Sequence, residues 1–157
     1  MDIRLDPLRV AYAEEMAVVL ADPGLYGFIG GAPPTAEELA DRYRRQVVGR
    51  SVDGHEEWLN WIVRDAGDCA VGYVQATVHE GDRAVIAWMI GRPWQGRGYA
   101  TKAARDLIDV LRSRGVRRVE AYIVPGHHAS EMVAARTGLA ATGQLDSEGE
   151  QLWLTTT

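Results

Sequence analysis

Apolar positions along the chain fall into short segments of two periods, two and 3.6, separated by turns rich in Gly, Pro and Asp. Ile3-Arg4-Leu5 predicts a short opening strand ended by Pro7, and Tyr12 to Ala21 predicts a helix with Met16, Val19 and Leu20 inward, stopped at Asp22-Pro23-Gly24. Thr35-x-x-Glu38 is a capping box that opens a second helix, with Leu39, Ala40, Tyr43 and Val47 on one face. Trp58 to Arg64 alternates as a strand, Asp65 to Asp68 turns it, and Cys69 to His79 returns. Glu80-Gly81-Asp82 then leads into Ala84–Ile90, an unbroken apolar run that reads as a buried strand. Joins this short force the three strands to be antiparallel. Ala100, Ala103, Ala104, Leu107, Ile108 and Leu111 mark one helix face, closed by Arg114-Gly115. Arg118 to Val124 is a strand reached by that helical crossover, so it runs parallel to Ala84–Ile90 or close to it. A short helix from Ala129 to Thr137 ends at Gly138, and Leu139–Leu145 with Gln151–Thr155 makes a last antiparallel pair. The order βαα–βββ–α–β–α–ββ predicts one α/β domain over residues 1–157: a mixed, mostly antiparallel sheet of about seven strands with four helices on its two faces.

Composition adds limits. The apolar fraction of 46% and charged fraction of 25% are ordinary for a globular domain. A net charge of −5 without any basic run argues against nucleic acid as a partner, and no apolar run reaches membrane length. Charged residues within the first fifteen positions argue against a signal peptide, and the single Cys69 points to a reducing, cytoplasmic setting, where it reads as a small buried strand residue. His127 and His128 are adjacent and point apart, so no metal is expected; His79 and Glu80 at a hairpin end read as solvated.

The chemistry concentrates between the buried strand and the long helix, in Gly91-Arg92-Pro93-Trp94-Gln95-Gly96-Arg97-Gly98-Tyr99-Ala100-Thr101-Lys102. Gly96, Gly98 and Ala100 alternate with larger residues and leave the backbone open to a ligand. Unpaired N–H groups at a helix start attract anions, and Arg92, Arg97 and Lys102 add positive charge. This pattern predicts a pyrophosphate cradle. A plain turn would need fewer small residues. A dinucleotide fingerprint fits Gly96-x-Gly98, with Glu120 as the ribose acid, but Thr101 stands where its third glycine belongs and too little chain follows.

Gln95-Gly96-Arg97-Gly98-Tyr99-Ala100 resembles the Q/R-x-x-G-x-G/A acetyl-CoA loop of the GNAT N-acetyltransferases. The longer string from Ile86-Ala87-Trp88 through Arg92-Pro93-Trp94-Gln95 to Ala103-Ala104 is similar to the branch that acetylates ribosomal-protein N-termini. The resemblance spans nearly the whole chain. It implies acetyl-CoA as cofactor, held by Gln95, Gly96, Arg97, Gly98, Tyr99, Ala100 and Thr101, by strand backbone at Trp88, Met89 and Ile90, and by Ser130, with an N–H near Met89 or Ile90 for the thioester oxygen. The partner it implies is a primary amine, either a peptide N-terminus or a small molecule, and the protein is expected as monomer or homodimer.

Three positions depart from the family pattern. Val85 stands where many members carry a glutamate, His127 where an asparagine precedes the serine of Pro-x-Asn-x-x-Ser, and Ala134 where some have a tyrosine that protonates the thiolate. Ser130 is then the candidate for the thiolate or pantetheine contact, with a helix N-cap as its structural alternative. His127 is the candidate proton relay, with a solvated loop histidine as the alternative. Four large apolar residues, Leu25, Tyr26, Phe28 and Ile29, crowd the Gly24–Pro34 loop, either as core or as an acceptor wall. Tyr26 and Phe28, with Trp58 and Asn60 on the hairpin, are the acceptor candidates. A non-catalytic acyl-CoA-binding protein of the same fold is the rival reading.

Overall fold

The computed structural model describes residues 1–80 and 82–156, so Gly81 of the predicted Glu80–Asp82 turn lies outside the described residues. Its elements follow the predicted order: β1 (Ile3–Pro7), α1 (Ala13–Val19), α2 (Ala36–Gln46), β2 (Glu56–Asp65), β3 (Ala70–His79), β4 (Arg83–Ile90), α3 (Tyr99–Ser113), β5 (Arg118–Ile123), α4 (His128–Arg136), β6 (Ala140–Leu145) and β7 (Gln151–Thr156). Short 3-10 turns at Val10–Tyr12, Pro23–Tyr26 and Arg92–Trp94 interrupt the connections. The predicted Tyr12–Ala21 helix is therefore shorter, with a 3-10 turn before it. Met16, Val19 and Leu20 are buried as expected.

The sheet order is β1-β2-β3-β4-β5-β7-β6, and every neighbouring pair is antiparallel except β4–β5. Side chains of Ala84, Ile86 and Ile90 join Ala103, Leu107, Leu111 and Ala134 in the core beneath α3 and α4. On the other face, Ile62, with Tyr73 and Met89 at its margin, packs against Met16, Leu39 and Tyr43 of α1 and α2. The Thr35–Glu38 capping box is formed in both directions, so α2 starts where the sequence says. Two expectations are corrected. Cys69 is exposed, because the Asp65–Asp68 turn holds it outside β3 through its N–H bond to the Asp65 carboxylate. Val47 is the C-cap of α2 rather than part of its inner face, and it is 46% exposed.

Candidate active site

β4 and β5 pair only over Arg83–Arg118, Ala84–Val119 and Val85–Glu120, and then part. Glu120 sits at that fork, buried, accepting from Arg83 Nη1 at 3.0 Å and from Arg118 Nε. Its carboxylate serves this ion triad across β4 and β5, not the ribose expected in the dinucleotide reading. On its other side β4 stays fully paired to β3, and the ladder runs on to a Gly91 N–H bond to the Val71 carbonyl at 2.8 Å. Alternation along an antiparallel ladder then turns the backbone of Met89 towards β3 and that of Trp88 and Ile90 into the gap. The Ile90 carbonyl accepts from Gln95 Nε2 at 2.9 Å, which ties the following loop to the strand end and leaves the Ile90 N–H facing the opening. Of the two N–H donors considered from the sequence, the ladder thus favours Ile90. Gly72 allows this arrangement, since a Cβ there would lie 2.1 Å from the Met89 carbonyl oxygen.

The cradle is preformed. Gly96 and Gly98 have φ of 76° and 87°, in the left-handed region where a glycine costs nothing. Gly98 caps α3 without any side-chain bond, and the first backbone bond back to the loop runs from Lys102 N–H to the Gly98 carbonyl. Among the described residues, no protein acceptor meets the N–H groups of positions 96 to 101. A Cβ on Gly96 would meet nothing within 4 Å, so its glycine answers to the positive φ and not to packing. Such a cluster of amides at a 15-residue helix start fits a pyrophosphate. Lys102 is paired with Asp106 at 2.7 Å, so the amides rather than this lysine carry the site.

From the cradle a cleft of about 900 Å³ passes between β4 and β5 and reaches the loop after α1. Trp88, Met89, Ile90, Gln95, Gly96, Gly98, Tyr99, Ala100, Thr101, His127 and Ser130 all line it, and so does Phe28. Phe28 and Ile29 are exposed wall, not core, at 52% and 54%. The Phe28 ring stacks on the His127 imidazole with centroids 4.4 Å apart and planes 3° from parallel. Burial there pushes the His127 pKa below its ordinary 6.5, against a weaker opposite pull from Glu131, which favours the uncharged imidazole. Ser130 is the third residue of α4, whose N-cap is His127; its hydroxyl has no protein partner among the described residues, and the residue lines the cleft.

Four expected residues lie elsewhere. The Tyr26 hydroxyl donates to the Leu20 carbonyl at 2.9 Å and pins the loop instead of lining the cleft. Arg97 is outside the lining. Trp58 and Asn60 line a second, smaller cavity with Arg42 and Arg45. Glu150, which the sequence did not single out, lines the main cleft and is its one carboxylate among the described residues. Burial raises its pKa, helped by the charges of Asp146 and Glu148. Only the insertion of β7 beside β5 brings Glu150 there, and no local pattern signals that strand order.

Comparison with known proteins agrees with this fold. The family model described as acetyltransferase (GNAT) domain matches residues 2–140. No curated protein matches the chain. Among solved structures, aminoglycoside acetyltransferase AAC(6')-Ib in complex with coenzyme A superposes with TM-score 0.81 at 17% identity, covering 99% of this chain and 95% of its own. A Vibrio cholerae protein assigned as a ribosomal-protein-serine acetyltransferase gives 0.82 at 17% identity, covering 99% and 94%. The microcin C7 self-immunity acetyltransferase MccE, in complex with acetyl-CoA and AMP, gives 0.82 at 18% identity, covering 99% and 93%. At these identities the likeness is one of fold.

Proposed function

The chain belongs to the GNAT acetyltransferase domain family, and on that premise we propose that it transfers an acetyl group from acetyl-CoA to a primary amine by direct attack. The observation that carries this reading is a single cleft that joins the start of α3, through parted strands, to His127, Ser130 and Glu150. Acetyl-CoA as substrate supplies the activated thioester. The N–H groups of positions 96 to 101 take its pyrophosphate, and the gap between β4 and β5 takes its pantetheine arm.

In the reaction the amine nitrogen forms a bond to the acetyl carbon and the carbon–sulfur bond breaks, its electron pair leaving on sulfur. The Ile90 N–H is placed to stabilise charge on the carbonyl oxygen. Glu150 receives the acceptor as an ammonium, which gives one proton to solvent to become the attacking neutral amine. His127 takes the second proton from the nitrogen once it is bonded to carbon, and Ser130 donates to the departing sulfur and is reprotonated from His127 through solvent. A purely acyl-CoA-binding role is suggested by Val85 and Ala134 standing where the family has its glutamate and tyrosine. The cleft nonetheless holds other proton-transfer groups, which favours the enzyme.

The test is thiol release from acetyl-CoA across a panel of small amines and N-terminal peptides, with the product identified by mass. Amine-dependent release with an acetylated product is expected. Tight acetyl-CoA binding with no release from any acceptor would overturn the enzyme in favour of the binder.

A further inference from the structure

A second cavity, of about 270 Å³, lies between α2 and the β2–β3 hairpin. Its walls are Arg42 and Arg45 of α2 above Trp58, Asn60, Gln75 and Thr77 of the sheet. Among the described residues, neither arginine has an ion pair or a side-chain hydrogen bond, while most of the other arginines are paired. The sheet contributes amide, hydroxyl and indole side chains and no carboxylate to this lining.

Register places this cavity beside the acceptor end of the cleft. Ile62, Tyr73 and Met89 form one cross-strand row, Asn60, Gln75 and Ala87 the next, and Trp58, Thr77 and Val85 the third. Residues in such rows share one face of the sheet, here the face covered by α1 and α2. Met89, Ala87 and Tyr73 line the main cleft, whereas Gln75, directly opposite Ala87, lines the second cavity. From the Met89 row to the Trp58 row is about 14 Å along the strands, at about 3.4 Å per residue.

Resting on the acetyltransferase reading, we infer that the second cavity is an acceptor subsite for an anionic group, carboxylate or phosphate, carried on the order of 10 Å from the reacting amine. Guanidinium groups recognise such oxyanions in a bidentate manner, and with no carboxylate partner of their own both arginines are free to turn to one. The acceptor side is then bipolar: Glu150 meets the ammonium beside the thioester, and Arg42 and Arg45 hold the far end.

The experiment compares 8-aminooctanoate and 8-aminooctyl phosphate with octylamine, both as acceptors and as ligands in calorimetry without acetyl-CoA. The wild type should show a KM at least tenfold lower for an anionic acceptor, and the better of the two anions identifies which group the site takes. Arg42→Ala/Arg45→Ala should abolish that preference, with the KM for acetyl-CoA and the melting temperature unchanged. Arg42→Glu/Arg45→Glu should turn it towards octane-1,8-diamine. Equal KM values for octylamine and both anions, or a preference that survives in the double variants, would overturn the subsite. Calorimetry separates the two readings. Anion-dependent binding lost in the Arg variants, with no acetyl transfer, keeps the subsite and sinks the transferase; transfer without any anion preference does the reverse.

Discussion

Among single residues, Gly98 is the most direct test of the proposed acetyl-CoA loop. Its φ of 87° suits glycine, and a Cβ there would meet only Met1 Cε, at 3.8 Å. A Trp there combines a strained backbone with an indole in the phosphate space. Gly98→Trp should abolish acetyl-CoA binding in calorimetry while leaving the circular dichroism spectrum intact; retained affinity would place the cofactor elsewhere. His127→Gln keeps a polar side chain but cannot take a proton, so kcat should fall about a hundredfold with the affinity for acetyl-CoA unchanged. An unaltered kcat in steady-state assays would return His127 to a packing role against Phe28. Ser130→Ala should lower turnover more than affinity; the opposite pattern would make it a binding residue. The cradle was legible from sequence because every part of it lies within one strand–turn–helix. The Phe28–His127 stack was not, because its two rings are brought together only by tertiary structure.

Among elements, the fork between β4 and β5 matters most, because the cleft exists only where their pairing stops. Glu120 marks the fork, 3% exposed at its side chain, while Arg83 and Arg118 are 39% and 43% exposed. The asymmetry sets the cost of each substitution. Glu120→Gln leaves two arginines that can turn to water, at about 1 kcal/mol. Arg83→Met with Arg118→Met strands a buried carboxylate, at about 3 kcal/mol. Urea denaturation of the two variants checks the order, and a larger loss for Glu120→Gln would contradict it. Strand existence and direction were readable from alternation and short turns. The splay was implied by family resemblance alone, since β5 carries the same alternating pattern whether or not it stays paired.

At the scale of the whole molecule, one cluster, buried at Asp6 and Arg64, ties α1 to the sheet. Arg64 of β2 donates to Asp6 of β1 at 2.7 Å and to both Glu15 oxygens of α1 at 3.0 Å, with its guanidinium 4.9 Å from the Tyr12 ring centre. Burial pushes the Asp6 carboxyl up, but hydrogen bonds from Arg64 and Tyr12 with the charges of Arg64 and Arg4 outweigh it, so its pKa lies below the ordinary 3.8. A carboxyl depressed in the fold contributes stability that is complete above that value and lost as pH falls through the lower folded pKa. The melting temperature should therefore drop steeply below about pH 4. In Arg64→Met, Asp6 keeps its burial and loses its partner, so the gap to wild type should narrow on acidification; a gap independent of pH would remove Asp6 from the account. This cluster went unread in the sequence because Asp6, Glu15 and Arg64 belong to three separate elements, each with an ordinary surface charge pattern.

The measurement closest to the centre of this account is calorimetric titration of the protein with acetyl-CoA. The amides of positions 96 to 101 and the gap between β4 and β5 predict saturable binding at one site per chain, weakened by added pyrophosphate that competes for the cradle. Absence of saturable binding, confirmed by an unchanged melting temperature in excess acetyl-CoA, would contradict it.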